Sequence, residues 1–351
     1  MRFHFVGERM RRGFGVDRVL DQWARFAVAR GHEAHVWVVF KDEDLPPSPY
    51  TLHILPAGLN RGGPYYDLKV IRRSRVMGRL SGDDLLLLTD PLLSVGLRFP
   101  SFMVGDMGLS PACGSWAKVR RSLLLPRAKR VFTISKFLRK QLPHAVQKNG
   151  EVLYLGADHL HPPTLPSHQL LTSFPPRDDK LRVLYVGRGD PSMGSYKGVE
   201  NLLAWYQEAK EHIHLVMVGP CGVEGAKRLR QLGIFHLPYA PDDWLGWMMK
   251  ETELLVSFST WEGFNLPLME AQVLGTPVAA LNVGAHPEVV LDGETGWLEE
   301  DAASLGKRIL SLATDRKPLK EAGEAAMDWG ARFSWERWGP RWLEAMEEAV
   351  R

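Results

Sequence analysis

"TWEGFNLPLMEAQVLGTPVAA", residues 260–280, places two carboxylates, Glu262 and Glu270, on either side of "GFNLPLM". Were the whole stretch helical, the acids would lie about 12 Å apart along the axis, too far to serve one small group. Where the helix begins therefore decides the reading. The run "ELLVSFS" (253–259) before it reads as a buried strand, and "PVAAL" (277–281) after it as another. Pro267 suits the first turn of a helix, where its missing N–H is not felt. The helix is expected to start near Asn265 or Leu266, with Asn265 as N-cap. Glu262 then falls in the preceding loop and Glu270 in the first turn, with Gly263 letting the chain fold back. The pair would bracket a helix N-terminus, where free N–H groups and the dipole favour an anion or hydroxyls. A plainer account stays open: Glu270 satisfies the dipole and Glu262 is a surface acid.

The strand–helix alternation extends in both directions. Upstream lie "LRVLYVG" (181–187), "GVENLLAWYQEAKE" (198–211), "IHLVMVG" (213–219), "AKRLRQLG", "IFHLPY" and "DDWLGWMMKET", alternately strand and helix. Residues 159–180, "HLHPPTLPSHQLLTSFPPRDDK", hold five prolines and no apolar period, which marks a linker. Before it the rhythm appears again. "RFHFVG" (2–7), "EAHVWVVF" (33–40), "DLLLLT" (84–89), "SFMVGD" (101–106) and "RVFTIS" (130–135) read as strands. Residues 13–31 form a glycine-punctuated loop and an amphipathic helix, closed by Gly31. The tail 334–350 is a further helix, with Trp335, Trp338, Trp342, Leu343 and Met346 packed. This pattern predicts two α/β domains, each a parallel sheet with helices on both faces, facing a cleft. In such sheets ligands bind beyond the carboxyl ends of the strands.

Those strand ends carry the remaining candidates. "VGRGDPSMGSYKG" (186–198) holds Arg188 after a strand and Lys197 before a helix, a fork and a point charge that can converge on phosphate. Gly187 and its neighbouring glycines permit close backbone approach, but the loop is not a Walker A. "VGPCGVEG" (218–225), with Gly219, is glycine-rich or an ordinary turn; "FHLPYAPDD" (235–243), with Leu237, could flank a planar base. Gly13 and Gly15 in "RRGFGVDR" precede a helix, a weak signal that a tight turn also explains.

Composition bounds the classes. Of 351 residues, 45% are hydrophobic, as in a globular protein with a core, and two cysteines are too few for a disulfide framework. No signal peptide is evident and the apolar runs are too short to span a membrane, so a cytoplasmic protein is expected. The net +3 conceals a split: residues 1–150 carry 25 basic and 12 acidic residues (+13), leaving 19 and 29 (−10) for the rest. Such a bias attracts nucleic acid, anionic lipid or an acidic substrate, or simply complements the acidic half. No nucleic-acid motif accompanies the charge, so nucleic acid is not expected as a partner.

Together the loops resemble retaining GT-B glycosyltransferases, in particular glycosyltransferase family 4. "EGFNLPLME" is similar to the family's E-x7-E signature, and Arg188 and Lys197 to its phosphate-binding pair. "TISKFLRKQL", "YLGADHLHPP" and "GTPVAALNVGAHPEVVLDGETGWL" add to the likeness, which is densest over 181–300 and thin over 1–130. The resemblance implies GT-B architecture: a Rossmann-like acceptor domain (1–160, with helix 334–351 packing back on it), a linker (161–180) and a Rossmann-like donor domain (181–333). It implies a nucleotide-diphosphate sugar as donor, no cofactor and no metal. Arg188 and Lys197 would neutralise the diphosphate, Glu270 would bind ribose, and Glu262 would contact the sugar. Backbone amides of Phe264, Asn265 and Leu266 would hold sugar and phosphate, Gly15 would approach the donor, and the base would lie near Leu237 and Gly219.

The implied mechanism follows the charge that grows on the departing phosphate. Cations and helix amides aimed at that charge usually supply the largest catalytic contribution. The acceptor hydroxyl would attack from the same face, so configuration would be retained. The sequence departs from the family at one point: "MVGDMGLSP" has Gly105 where a histidine is expected, with Asp106 beside it as a partial substitute or an ordinary strand-end acid. The alternative function is a GT-B relative that binds a nucleotide sugar without transfer, or hydrolyses or epimerises it. The basic first half predicts an anionic acceptor, or a peripheral site at the anionic inner face of a membrane.

Overall fold

The computed structural model describes residues 1–11, 14–42, 45, 47–55, 84–91, 94, 101–111, 113–163, 172–189 and 195–349. The chain divides into two compact units. One comprises Met1–Leu109, Cys113–Leu155 and Glu336–Arg351; the other comprises Gly156–Trp335 with Ser110–Ala112.

In the first unit the strands are β1 (Arg2–Val6), β2 (Arg9–Met10), β3 (Glu33–Val38), β4 (Phe40–Lys41), β5 (Thr51–Ile54), β6 (Asp84–Leu88), β7 (Met103–Asp106), β8 (Arg130–Thr133) and β9 (Gly150–Val152). All but β2 and β4 form one parallel sheet in the order β5-β3-β1-β6-β7-β8-β9. Its central strands, such as "DLLLL", are buried along their whole length, as strands covered on both faces must be. The helices are α1 (Gly15–Ala29), α2 (Ser115–Leu124), α3 (Lys136–Lys140), α4 (His144–Gln147) and, from the far end of the chain, α12 (Trp335–Glu348). Gly31 follows α1 with φ 80°, the left-handed conformation that ends helices. Trp342 of α12 is fully buried, 4.5 Å from Trp23 of α1 and 5.6 Å from Phe132 of β8, and its indole N–H donates to Tyr154 O at 2.9 Å. Deleting so large a buried ring costs about 3–5 kcal/mol, so α12 is part of this core.

The second unit holds β10 (Leu181–Val186), α5 (Val199–Ala209), β11 (Ile213–Val218), α6 (Val223–Gln231), β12 (Phe235–Leu237), α7 (Asp242–Glu251), β13 (Leu254–Ser257), α8 (Leu266–Val273), β14 (Val278–Leu281), α9 (His286–Val289), β15 (Gly296–Glu299), α10 (Ala302–Thr314) and α11 (Lys317–Gly330). Its sheet is parallel throughout, in the order β12-β11-β10-β13-β14-β15. The chain runs outward from β10 in one direction, then resumes at β13 on the other side. The point where the order reverses, between β10 and β13, is where loops diverge and leave a crevice at the strand ends. The unit begins at Gly156, ahead of the linker expected at 161–180, of which 164–171 lie outside the described residues. Residues 157 and 158 are held by backbone and side chain: Ala157 N donates to Phe333 O at 2.7 Å, and Trp335 N donates to Asp158 Oδ1 at 2.8 Å. Among the described residues no helix is long and apolar enough to cross a membrane.

Candidate active site

The loops leaving β10 and β13, at the reversal point, contain Arg188, Lys197, Glu262 and Asn265. Backbone bonds tie them together, with Thr260 N donating to Tyr196 O at 2.8 Å. Gly198 (φ 68°) is the tightest point, since a Cβ there would lie 1.9 Å from Phe258 O. That approach delivers Lys197 to the β13 loop, where its Nζ donates to Glu262 Oε1 at 2.7 Å. Glu262 is only 6% exposed, which removes the surface-acid account. Tyr185 lies beneath, and its hydroxyl donates to Arg188 O at 3.2 Å. Burial, with the nearby Glu262 charge, holds its phenol protonated well above the usual range. Residues 190–194 of the β10 loop lie outside the described residues.

The β13 loop departs from the sequence reading in three ways. Asn265 sits at the N-cap position but makes no side-chain cap; it adopts the left-handed region at φ 66°, ψ 69°. Its amide instead donates to Ser257 Oγ at 3.0 Å and faces His286 Nε2 at 2.8 Å. The imidazole Nδ1 lies 2.6 Å from Leu281 O, a carbonyl that only accepts, so Nδ1 carries the proton and Nε2 receives the Asn265 amide. Burial pushes the His286 pKa down and keeps the ring neutral. Secondly, the reversal comes from Asn265, because Gly263 is not among the positive-φ residues. Thirdly, α8 begins at Leu266, so Glu270 is the fifth helical residue, in the second turn rather than the first. The dipole account of Glu270 weakens accordingly, because that effect fades within one turn.

Glu270 is nonetheless buried (4% exposed), with Oε1 2.9 Å from His159 Nε2. Neither His159 nor His286 was singled out from sequence. His286 stands directly before a proline and His159 three residues before one, and each reads as loop polarity unless its partner acid or amide is known. Phe264 and Leu266 are buried, and the first amides of α8 have no carbonyl one turn back. Gly284 (φ 61°) presses on Glu262 O, where a Cβ would come within 2.3 Å, and Ala285 N donates to that same oxygen at 3.0 Å.

Gly187, Gly219 and Leu237 form a continuous backbone rim at the ends of β10, β11 and β12. Gly187 N donates to Val218 O and Gly219 N to Leu237 O, each at 2.9 Å. Gly219 has φ 144°, and a Cβ there would lie 1.9 Å from Gly187 O, so the two strand ends touch through bare backbone.

The remaining candidates lie in the first unit. Gly13 falls outside the described residues. Gly15 opens α1, and a Cβ there would meet nothing within 4 Å, so packing does not demand glycine. Asp106, at the end of β7, is buried and engaged by both Nε and Nη2 of Arg121. Gly105 has a packing cause: its Cβ would meet Trp23 Cη2 at 2.7 Å, so the indole occupies the space a side chain at 105 would need. Asp17, in the first turn of α1, was not singled out from sequence. It accepts from Arg11 N at 2.9 Å and Arg9 Nε at 3.2 Å, while burial raises its pKa to about 7.

Residues 170–329 match the family model for glycosyl transferases group 1. Among curated proteins, the chain is 31% identical over 190 residues to a D-inositol 3-phosphate glycosyltransferase of Streptomyces bingchenggensis (49% of this chain, 42% of the relative). It is 30% identical over 166 residues to the O-antigen chain mannosyltransferase B of Escherichia coli (44% and 42%). The chain thus spans about two fifths of the length of these relatives. Among solved structures, sucrose-phosphate synthase from Thermosynechococcus elongatus aligns with TM-score 0.82 at 20% identity, covering 99% of this chain and 98% of that one. HepE of Anabaena in complex with UDP and glucose aligns with TM-score 0.75 at 19% identity, covering 99% and 100%. The fold is therefore that of GT-B glycosyltransferases, two parallel-sheet α/β domains.

Proposed function

We propose that this chain is a retaining glycosyltransferase that moves a sugar from a nucleotide-diphosphate sugar to an acceptor hydroxyl without a metal. The observation that carries the reading is the Lys197–Glu262 contact of 2.7 Å beside the start of α8, at the reversal point of the second sheet. Arg188 and Lys197 take the diphosphate, and the first amides of α8 meet the oxygen on which charge grows as the glycosidic C–O bond breaks. Glu262, already oriented by Lys197, accepts from hydroxyls of the sugar. The acceptor oxygen attacks from the face the phosphate leaves, and its proton passes to that phosphate. Glu270 accepts from ribose, and the bare rim of Gly187, Gly219 and Leu237 receives the base. UDP in the HepE neighbour supports a nucleotide donor. The acceptor is anionic or lies at an anionic surface, on the strength of the +13 balance of residues 1–150.

Thermal shift against UDP-, GDP- and ADP-sugars identifies the donor, since a bound ligand raises apparent stability as ln(1 + [L]/Kd). Slow donor hydrolysis in EDTA, releasing a sugar of unchanged anomeric configuration by NMR, is the expected result. Tight donor binding with no turnover would instead indicate a binding scaffold, and inversion or loss of activity in EDTA would overturn the mechanism.

A further inference from the structure

Helix α2 of the first unit packs Leu124 on the core but is also apolar on its outer face. Its inward side carries Arg121, which holds Asp106 and also donates to Gln141 O at 3.0 Å, while Arg120 on the flank reaches Asp90 Oδ2 at 3.4 Å. Its outward side carries Trp116, Val119 and Leu123, which are 66%, 48% and 66% exposed. At about 100° per residue these three fall within roughly 60° of arc, a continuous apolar stripe. An ordinary surface helix turns such a stripe to the core. A grouped exposed apolar patch marks a surface that something covers.

Charge points to the occupant. Residues 118–140 contain nine Lys/Arg and no Asp or Glu. The chain leaving α2 leads into a cavity of about 750 Å³ lined by Lys129, Arg130, Lys136, Arg139 and Lys148. Its one acid, Glu151, is taken by Arg130 at 3.3 Å. Arg130 Nε is buried there without a hydrogen-bond partner. A second copy meeting this face about a two-fold axis would bring the same cations together, which disfavours self-association. An anionic bilayer satisfies both parts, because apolar side chains enter the acyl boundary while cations meet lipid phosphates, and tryptophan favours that depth.

We propose that α2 is a docking helix that lies in the surface of an anionic phospholipid bilayer, with Trp116, Val119 and Leu123 inserted and the exposed cations Lys129, Lys136, Arg139 and Lys148 on the headgroups. This deepens the anionic-surface part of the functional reading and does not rest on the donor chemistry.

The test is co-sedimentation of the full chain with phosphatidylcholine vesicles, with and without phosphatidylglycerol, at low and high salt. The expected result is binding to the anionic vesicles alone, weakened by salt and by Lys129→Glu with Lys148→Glu. Trp116→Glu with Leu123→Glu should cut partitioning at least about tenfold, the order expected when two large apolar side chains leave the acyl boundary. Both sites are exposed, so this variant should melt like the wild type. Its vesicle-free donor hydrolysis should be unchanged. Equal partitioning of the variant and wild type, or no preference for anionic vesicles, would overturn the proposal. So would a wild-type dimer in sedimentation velocity that this variant renders monomeric. Vesicle binding in a protein without donor turnover would leave docking intact and reject the transferase reading.

Discussion

Asn265 offers the sharpest test of how the site is held. It combines a left-handed backbone (φ 66°) with an amide aimed at the fully buried His286. Asn265→Ala leaves the His286 nitrogen without its donor, at about 1–3 kcal/mol for a buried unsatisfied group. It also forces a Cβ without a compensating polar side chain into the left-handed region, at about 1 kcal/mol. The sum is roughly 2–4 kcal/mol, or a fall in Tm of roughly 5–12 °C for a unit of this size. Asn265→Gly keeps the first cost and relieves the second, so it should exceed the alanine variant by about 1 kcal/mol. Thermal melts and urea midpoints of the three proteins measure this ladder. Donor hydrolysis should fall in both variants, because the same residue sets the direction of the first amides of α8. An alanine variant within about 0.5 kcal/mol of wild type, or one more stable than glycine, would refute the reasoning.

Four further outcomes are expected. Lys197→Met leaves the buried Glu262 uncompensated and should cost about 1–3 kcal/mol in urea unfolding, together with most donor turnover; unchanged stability would mean the 2.7 Å contact is incidental. Gly105→His restores the residue the family resemblance expects, yet its Cβ meets Trp23 at 2.7 Å; it should lower Tm and yield no gain in kcat, and higher activity at wild-type stability would contradict that packing account. Asp17 is raised from 3.8 to about 7, so the fold favours its protonated form, and its contribution to stability is lost as pH rises from about 4 through 7; Asp17→Asn should remove that slope in melts across the range. His286 is shifted the other way, so its contribution is present above about 6.5 and is lost as pH falls further; His286→Gln should flatten the acid limb.

The second unit was the more legible because its strands announce themselves. "LRVLYV", "IHLVMV" and "LLVS" are apolar runs buried on both faces, bounded by glycine or polar residues, and the observed strands match them within a residue or two. Strands β5 ("TLHI"), β9 ("GEV") and β15 ("GWLE") went unread because each is short and its neighbours supply the pattern its own side chains lack. The loop of Asn265 was misread for a different reason. Asparagine serves equally as an N-cap and as a left-handed residue, and only the distant Ser257 and His286 decide between them. Gly105 was visible as a departure, but its cause lies in Trp23, more than eighty residues upstream, where no local pattern reaches.

The discontinuity of the first unit has a consequence for biosynthesis. Its interior includes Trp342, between Trp23 and Phe132, so the hydrophobic gap those residues surround stays unfilled while the ribosome is still making Gly156–Trp335. The second unit, contiguous apart from Ser110–Ala112, can finish folding first even though most of it is translated later. Release of a nascent chain before Trp342 would therefore leave a soundly folded C-terminal half joined to an N-terminal half with an open seam, a species that chaperones would meet whenever translation stalls.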